Sequence, residues 1–221
     1  MHQPERPARL SPDDDAPGLC GLDEVGRGPL AGPLVAALVA FPAGFDFAAL
    51  FPKSELRDSK RLSAEQREGL IREIYEFALV LETEIIPVED INARNIGWAN
   101  RVAFERLIMR VDAAQYIVDG NLKLQNLGER AARVKAVKYA DATVQAVAAA
   151  SIVAKVTRDR LMRQLHDEFP VYGWDRNAGY GTQAHLKALR THGITIHHRR
   201  QFVATALARF EPRLPGFEAG V

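Results

Sequence analysis

Apolar positions along this chain follow two rhythms, short unbroken runs and longer stretches spaced at three and four, and the changes of rhythm mark out its elements. Leu19-Cys20-Gly21-Leu22 is a short run that ends on two adjacent acids, Asp23 and Glu24, and Leu34 to Phe41 is a second run. They predict strands over 18–24 and 34–41, close enough to pair antiparallel. Phe45 to Asp58, with Pro52 inside it, reads as a connection. Ser63 fits an N-cap, with Gln66 at the capping-box position, and opens a helix to about Phe77. Ala78 to Pro87 reads as the third strand, and Val88 to Val111 as a long helix with a break at Gly97. Tyr116-Ile117-Val118 is a short strand running into Asp119-Gly120-Asn121, and Arg133 to Tyr139 is a basic, alternating strand that ends near Asp141. Thr143 to Phe169 is strongly helical until Pro170 stops it. Gln183 to Thr191, closed by Gly193, and Arg199 to Phe210 are the last helices. Residues 1–17, rich in Pro, Asp and Arg, carry no period and read as a disordered leader.

The stretch Gly21 to Pro33, GLDEVGRGPLAGP, admits three readings. It could be a polar hairpin loop with incidental acids. It could be a dinucleotide fingerprint, since Gly26-x-Gly28-x-x-Ala31 satisfies G-x-G-x-x-G/A, but the run after Pro33 reads as a buried strand and not as the helix that fingerprint requires. It could be a carboxylate metal site beside a glycine turn through which backbone N–H groups approach a ligand closely. Successive side chains on a strand point to opposite faces, so Asp23 and Glu24 diverge and one of them faces a core unless it is compensated.

Composition narrows the field. The 221 residues are 47% hydrophobic and 26% charged, as in an ordinary globular chain long enough for a domain and a subdomain. Cys20 is the one cysteine, which excludes an intrachain disulfide and a cysteine-rich zinc site. Without a membrane-length apolar run or the apolar core of a signal peptide, a cytosolic protein with no membrane association is expected. The net charge of +1 conceals a separation. From Arg176 to Phe210 there is no Asp or Glu, but there are Arg176, Lys187, Arg190, Arg199, Arg200 and Arg209, with His185, His192, His197 and His198. An acidic front that could hold cations and a basic back suit an enzyme that acts on a polyanion. The alternative is a solvated basic helical face.

Asp23, Glu24, Asp119 and Asp141 lie at or just past the ends of three predicted strands, where sites assemble in sheets with crossover helices. Hard oxygen donors with open positions suit Mg²⁺ or Mn²⁺, and two such ions can drive in-line phosphodiester displacement. Any one of these acids alone would pass as a turn residue; the repeated strand-then-acid pattern would not.

Six blocks together resemble ribonuclease HII, the type 2 ribonuclease H family: GLDEVGRGPLAGP at 21–33, DSKRLS at 58–63, VDGN at 118–121, AVAAASIVAKVTRDRLM at 146–162, GYGT at 179–182 and HRRQF at 198–202. The resemblance implies an α/β fold, a ribonuclease H-like mixed sheet flanked by helices, over 18–169, and a C-terminal helical substrate-binding extension over 170–221. It implies an endonuclease that hydrolyses RNA joined to DNA, including a lone ribonucleotide in duplex DNA, cutting on its 5′ side to leave 3′-hydroxyl and 5′-phosphate ends; separately from the resemblance, a monomer is expected. Asp23, Glu24, Asp119 and Asp141 would be the catalytic metal ligands for Mg²⁺ or Mn²⁺. Gly26, Arg27 and Gly28 would meet the ribose 2′-hydroxyl through the backbone, Tyr180 would pack on the sugar at the RNA–DNA junction, and Lys60 would meet a phosphate. Ala140 departs from the family's usual Gly, Gln201 from a common Ser, and Arg176 would take over a phosphate contact from a lysine of the segment before GYGT.

Four further features are read more plainly. His197-His198 lacks partner acids and reads as solvent or phosphate contacts, not a metal site. Trp98 and Trp174 read as packing residues. Lys155, Arg158 and Asp159 read as helix-surface charges. Two rivals are kept: a hybrid binder without catalysis, which loss of an acid would support, and a phosphodiesterase or resolvase of similar fold, which would ignore the 2′-hydroxyl.

Overall fold

A computed structural model describes residues 17–47 and 63–209. The leader, the DSKRLS block up to Leu62 and residues from Phe210 on fall outside the described residues, as does Lys60. The described elements are β1 (Leu19–Val25), β2 (Leu34–Ala40), α1 (Ala64–Phe77), β3 (Val80–Ile86), α2 (Val88–Arg94), α3 (Ile96–Arg110), β4 (Gln115–Asp119), β5 (Val134–Val137), α4 (Gln145–Glu168), α5 (Trp174–Asn177), α6 (Gln183–His192) and α7 (Arg200–Arg209), with short 3-10 turns between some of them.

The strands form one mixed sheet in the order β3-β2-β1-β4-β5. β1 runs antiparallel to β2 and parallel to β4, and β4 runs parallel to β5. β2, with no polar residue in it, is buried along its whole length, as an interior strand covered on both faces must be. Ser63 caps α1 with the full reciprocal capping box, as its sequence predicts. The expected break in the helix after Val88 falls at Asn95 and not at Gly97. Asn95 takes a left-handed φ of 76°, and its Oδ1 accepts the Trp98 N–H at 3.0 Å, so one residue ends α2 and caps α3.

The chain packs as two units. Of the described residues, the first takes 17–25, 35–47, 63–84 and 100–156, and the second takes 26–34, 85–99 and 157–209. In the first unit the N-terminal half of α4 lies on β1. A Cβ at Gly21 would collide with the main chain of Ala146 and Val147, so only glycine admits the helix at this distance. Ala146, Ala148, Ala149, Ala150 and Ala154 are buried and let the helix settle close. In the second unit Leu30, Ala31, Met162, Tyr172, Trp174, Leu186, Leu189 and Val203 share one core.

Candidate active site

In the first unit the approach of α4 decides which acid is buried. Gly21 and Asp23 share a face of β1, two residues or about 6.7 Å apart. Val147 and Ser151 are separated by one helical turn, about 6 Å. The helix that touches Gly21 therefore sets Ser151 over Asp23, and the two side chains are hydrogen-bonded. Asp23 is only 6% exposed, and its Oδ1 also accepts the Glu24 N–H at 2.8 Å. Alternation sends the Glu24 side chain to the other face, where it is half-buried. The expectation that one of the pair faces a core and needs compensation is met by Asp23.

β4 runs parallel to β1 with Leu22 opposite Val118, so one step on the same register carries Asp119 beside Asp23. Asp119 Oδ1 accepts the Ala140 N–H at 2.7 Å, which ties the end of β4 to the 3-10 turn Ala140–Ala142 that carries Asp141. Tyr139, at φ 58°, makes the sharp entry into that turn, and Asp141 is buried within it. Burial above all, with the charges of Asp119 and Asp141 acting in the same direction and hydrogen bonds from Ser151 and Glu24 opposing it, raises the Asp23 carboxyl to about 6. Asp119 and Asp141 thus both lie within electrostatic reach of Asp23, to which Glu24 is tied through its main-chain N–H. Among the described residues no group of three or more Asp, Glu, His or Cys forms a ready-made metal cluster. The donors themselves are all carboxylates and fit a hard divalent cation, which would relieve the repulsion that Asp119 and Asp141 exert on Asp23.

In the second unit the glycine turn is riveted by two buried arginines. Arg158 donates from Nε to Pro33 O at 2.9 Å, from one terminal nitrogen to Ala178 O at 2.8 Å, and from the other to Ala31 O at 3.0 Å. Arg199 donates twice to Gly32 O, at 2.8 and 3.0 Å, and once to Arg27 O at 3.2 Å. Burial lowers Arg158 to about 10 and Arg199 to about 9, so both remain charged near neutral pH. Gly26, at φ 94°, leaves room for the Arg158 guanidinium; a Cβ there would meet it and would stand 2.8 Å from Pro33 O. The Leu30 and Ala31 N–H groups donate to Gly179 O, at 2.8 and 3.3 Å, which draws the Gly179-Tyr180 loop onto the turn. As a result a Cβ on Gly28 would lie 3.6 Å from the Tyr180 ring. Gly28 and Arg27 are exposed, and Tyr180 is 45% exposed, so its ring is not part of the core.

Several expectations change. Arg158 is not a helix-surface charge. It recurs with the fully buried Ala150, Ala154 and Met162 at spacings of four, a signal visible in the sequence. His198 is not a solvent contact; it is buried and bonded to Thr195 and His185. Arg199, counted with the basic segment, is fully buried as well, while Arg176, Lys187, Arg190, Arg200 and Arg209 are exposed. Arg176 Nε lies 3.7 Å from Asp175. Trp174 is buried, as its packing reading expects, and Trp98 is half-buried under the Arg94 guanidinium. Ser151, Arg158 and Arg199 are the residues that sequence reasoning did not assign to the site.

A mixed sheet whose parallel central strands end in acids, with flanking helices and a helical C-terminal region, defines a ribonuclease H-like hydrolase. The family model for ribonuclease HII matches residues 20–205, and the chain belongs to that family. A ribonuclease HII from Burkholderia mallei (strain SAVP1) is 46% identical over 195 residues, 86% of each chain. The ribonuclease HII in a complex with PCNA from Archaeoglobus fulgidus superposes with a TM-score of 0.73 at 28% identity, over 88% of this chain and 98% of that one. The ribonuclease H2 of Pyrococcus horikoshii OT3 gives 0.71 at 25% identity, over 87% and 98%. The family consists of metal-dependent endoribonucleases that cleave the RNA of RNA–DNA hybrids. Among the described residues no helix is long and apolar enough to cross a membrane.

Proposed function

We propose that this chain is a monomeric, cytosolic endonuclease that, besides cutting hybrids, cuts duplex DNA on the 5′ side of a single ribonucleotide, leaving 3′-hydroxyl and 5′-phosphate ends. The observation that carries the hydrolytic part is geometric: Asp23 is buried near the end of β1, one register step from Asp119 on β4, which is tied in turn to the 3-10 turn that carries the buried Asp141. Asp23, Asp119 and Asp141, with Glu24, are the residues that would hold Mg²⁺ or Mn²⁺. Two such ions, when bound, supply water activation and stabilisation of the departing oxygen. Ser151 and the Glu24 N–H orient the Asp23 carboxylate, and the Ala140 N–H orients Asp119.

Discrimination of RNA belongs to the turn and Tyr180. The 2′-hydroxyl is the group that marks a ribonucleotide. Gly28 carries no side chain to exclude a sugar, and the Tyr180 ring beside it supplies a flat apolar surface without base reading. Residues 170–221 are read as the substrate-binding extension, with Arg176 on a phosphate, and Lys60 as a second phosphate contact. The test is cleavage of a duplex with one ribonucleotide against an all-DNA control, with Mg²⁺, with Mn²⁺ and with chelator. Cutting confined to the ribonucleotide duplex and abolished by chelator is expected. Equal cutting of the control would favour the resolvase-like reading.

A further inference from the structure

The second unit buries two histidines that the reaction does not use, and their hydrogen bonds have one consistent assignment. His185 Nδ1 lies 2.9 Å from Tyr180 O. A carbonyl only accepts, so Nδ1 carries the proton and donates. His185 Nε2 is then the acceptor, and it receives the Trp174 Nε1–H at 3.2 Å. His198 Nδ1 receives the Thr195 N–H at 2.9 Å, so its proton sits on Nε2, which donates to His185 Nε2 at 3.2 Å. Both rings are neutral in this arrangement. Trp174, His185 and His198 are at most 1% exposed. An apolar residue would fill the same space without desolvating four ring nitrogens. What the imidazole of His185 adds is a directed donor to the main chain of Tyr180.

We propose that His185 is a positioning residue for ribonucleotide selection: its Nδ1–H, with the tautomer set by Trp174 and His198, fixes the Tyr180 peptide so that the ring stands over Gly28. The proposal rests on the reading of Tyr180 as the sugar platform. The carbonyl of Tyr180 also accepts the Thr182 N–H at 2.8 Å, but that bond belongs to the neighbouring turn and follows the loop wherever it moves. The Tyr180 N–H, in turn, donates to Asn177 O at 2.8 Å. The bond from His185 is the one that joins this peptide to the buried Trp174–His198 cluster.

Two conservative variants separate the roles of the two ring nitrogens. His185→Asn places an amide N–H near the position of Nδ1 and keeps the donor to Tyr180, while leaving the Trp174 and His198 donors unpaired. His185→Gln places an acceptor near Nε2 and keeps those donors satisfied, while releasing Tyr180. The parent, both variants, Tyr180→Ala and the His185→Gln/Tyr180→Ala double variant are compared by kcat and KM on a duplex with one ribonucleotide and on uniform RNA–DNA hybrid, with melting temperatures alongside. The expected result is that His185→Gln loses on the order of tenfold in kcat/KM on the single-ribonucleotide duplex relative to hybrid, a loss typical of a displaced contact. His185→Asn keeps the parent ratio although it melts no higher than His185→Gln, and His185→Gln adds nothing once Tyr180 is alanine. A purely structural role predicts the reverse order, with activity following melting temperature; that order, or equal ratios in both variants, overturns the proposal. If Tyr180→Ala lowers the ratio and His185→Gln does not, the proposal alone fails. If Tyr180→Ala keeps the parent ratio, the platform reading fails and takes the proposal with it.

Discussion

At the scale of single residues, Asp23 shows how a site acid is held against its own environment. Its folded pKa of about 6 exceeds the ordinary 3.8, so the metal-free folded state binds the proton more tightly than the unfolded chain. This contribution favours the folded state below about pH 4 and is lost as pH rises through about 6. Asp23→Asn removes it. In chelator at pH 7.5 the variant should be more stable than the parent by up to about 3 kcal/mol, the value of roughly two pKa units. The gain should vanish by about pH 4, and cleavage should be lost throughout. Urea unfolding at several pH values measures the first, and a cleavage assay with Mg²⁺ the second. A constant gain across pH would mean that Asp23 is not the titrating group.

The glycines of the turn make a second contrast. Gly26→Ala forces a side chain into a left-handed position against Arg158 and should cost at least about 1–3 kcal/mol. Gly28→Ala meets only ordinary contact with Tyr180, so its melting temperature should stay within a degree or two of the parent. Its methyl would nonetheless stand on the proposed sugar face, and cutting at a single ribonucleotide should fall by at least about tenfold. Thermal melts and kcat/KM on the two variants separate packing from recognition.

At the scale of elements, α4 and β1 act together. The helix buries Asp23 and supplies Ser151 only because Gly21 lets it approach. Gly21→Ala should lift the helix and cost about 1–3 kcal/mol, the range for overpacking a filled core. Because Ser151 would move with it, cleavage should fall even under conditions where the variant is fully folded. Gly18→Ala, where an added Cβ meets nothing within 4 Å, is the matched control. Circular dichroism melts and single-turnover cleavage of the pair measure both effects; equal behaviour of the two variants would remove the helix from the account of Asp23.

At the scale of the whole molecule, charge divides into structural and exposed sets. Arg158 and Arg199 serve main-chain carbonyls, while Arg176, Lys187, Arg190, Arg200 and Arg209 are exposed, so under the proposed function the pull on a nucleic acid would fall to these five. Deleting residues 176–210 would remove core residues such as His185, Leu186 and Val203 and so would test folding, not binding. Substituting Lys187 and Arg200 by alanine on an Asp119→Asn background is cleaner. If both side chains meet phosphates, the slope of log binding constant against log salt should flatten by about two. An unchanged slope would assign these charges to solvation.

The order of strands and helices, the acids at strand ends and the glycine turn could all be read directly from the chain, because apolar period and turn chemistry are local. The strand reading after Pro33 is met by β2, which disposes of the dinucleotide fingerprint. Only the tertiary structure decided which acid is buried, since strand alternation is symmetric until a helix covers one face, and Gly21 chose that face. Only it turned His198 and Arg199 inward and supplied the carbonyls that hold Arg158 on the buried face marked by its spacing with Ala150, Ala154 and Met162. Their residue types favour water, and what holds them inside are carbonyls, ring nitrogens and N–H groups that lie far away in sequence or whose direction the backbone alone sets.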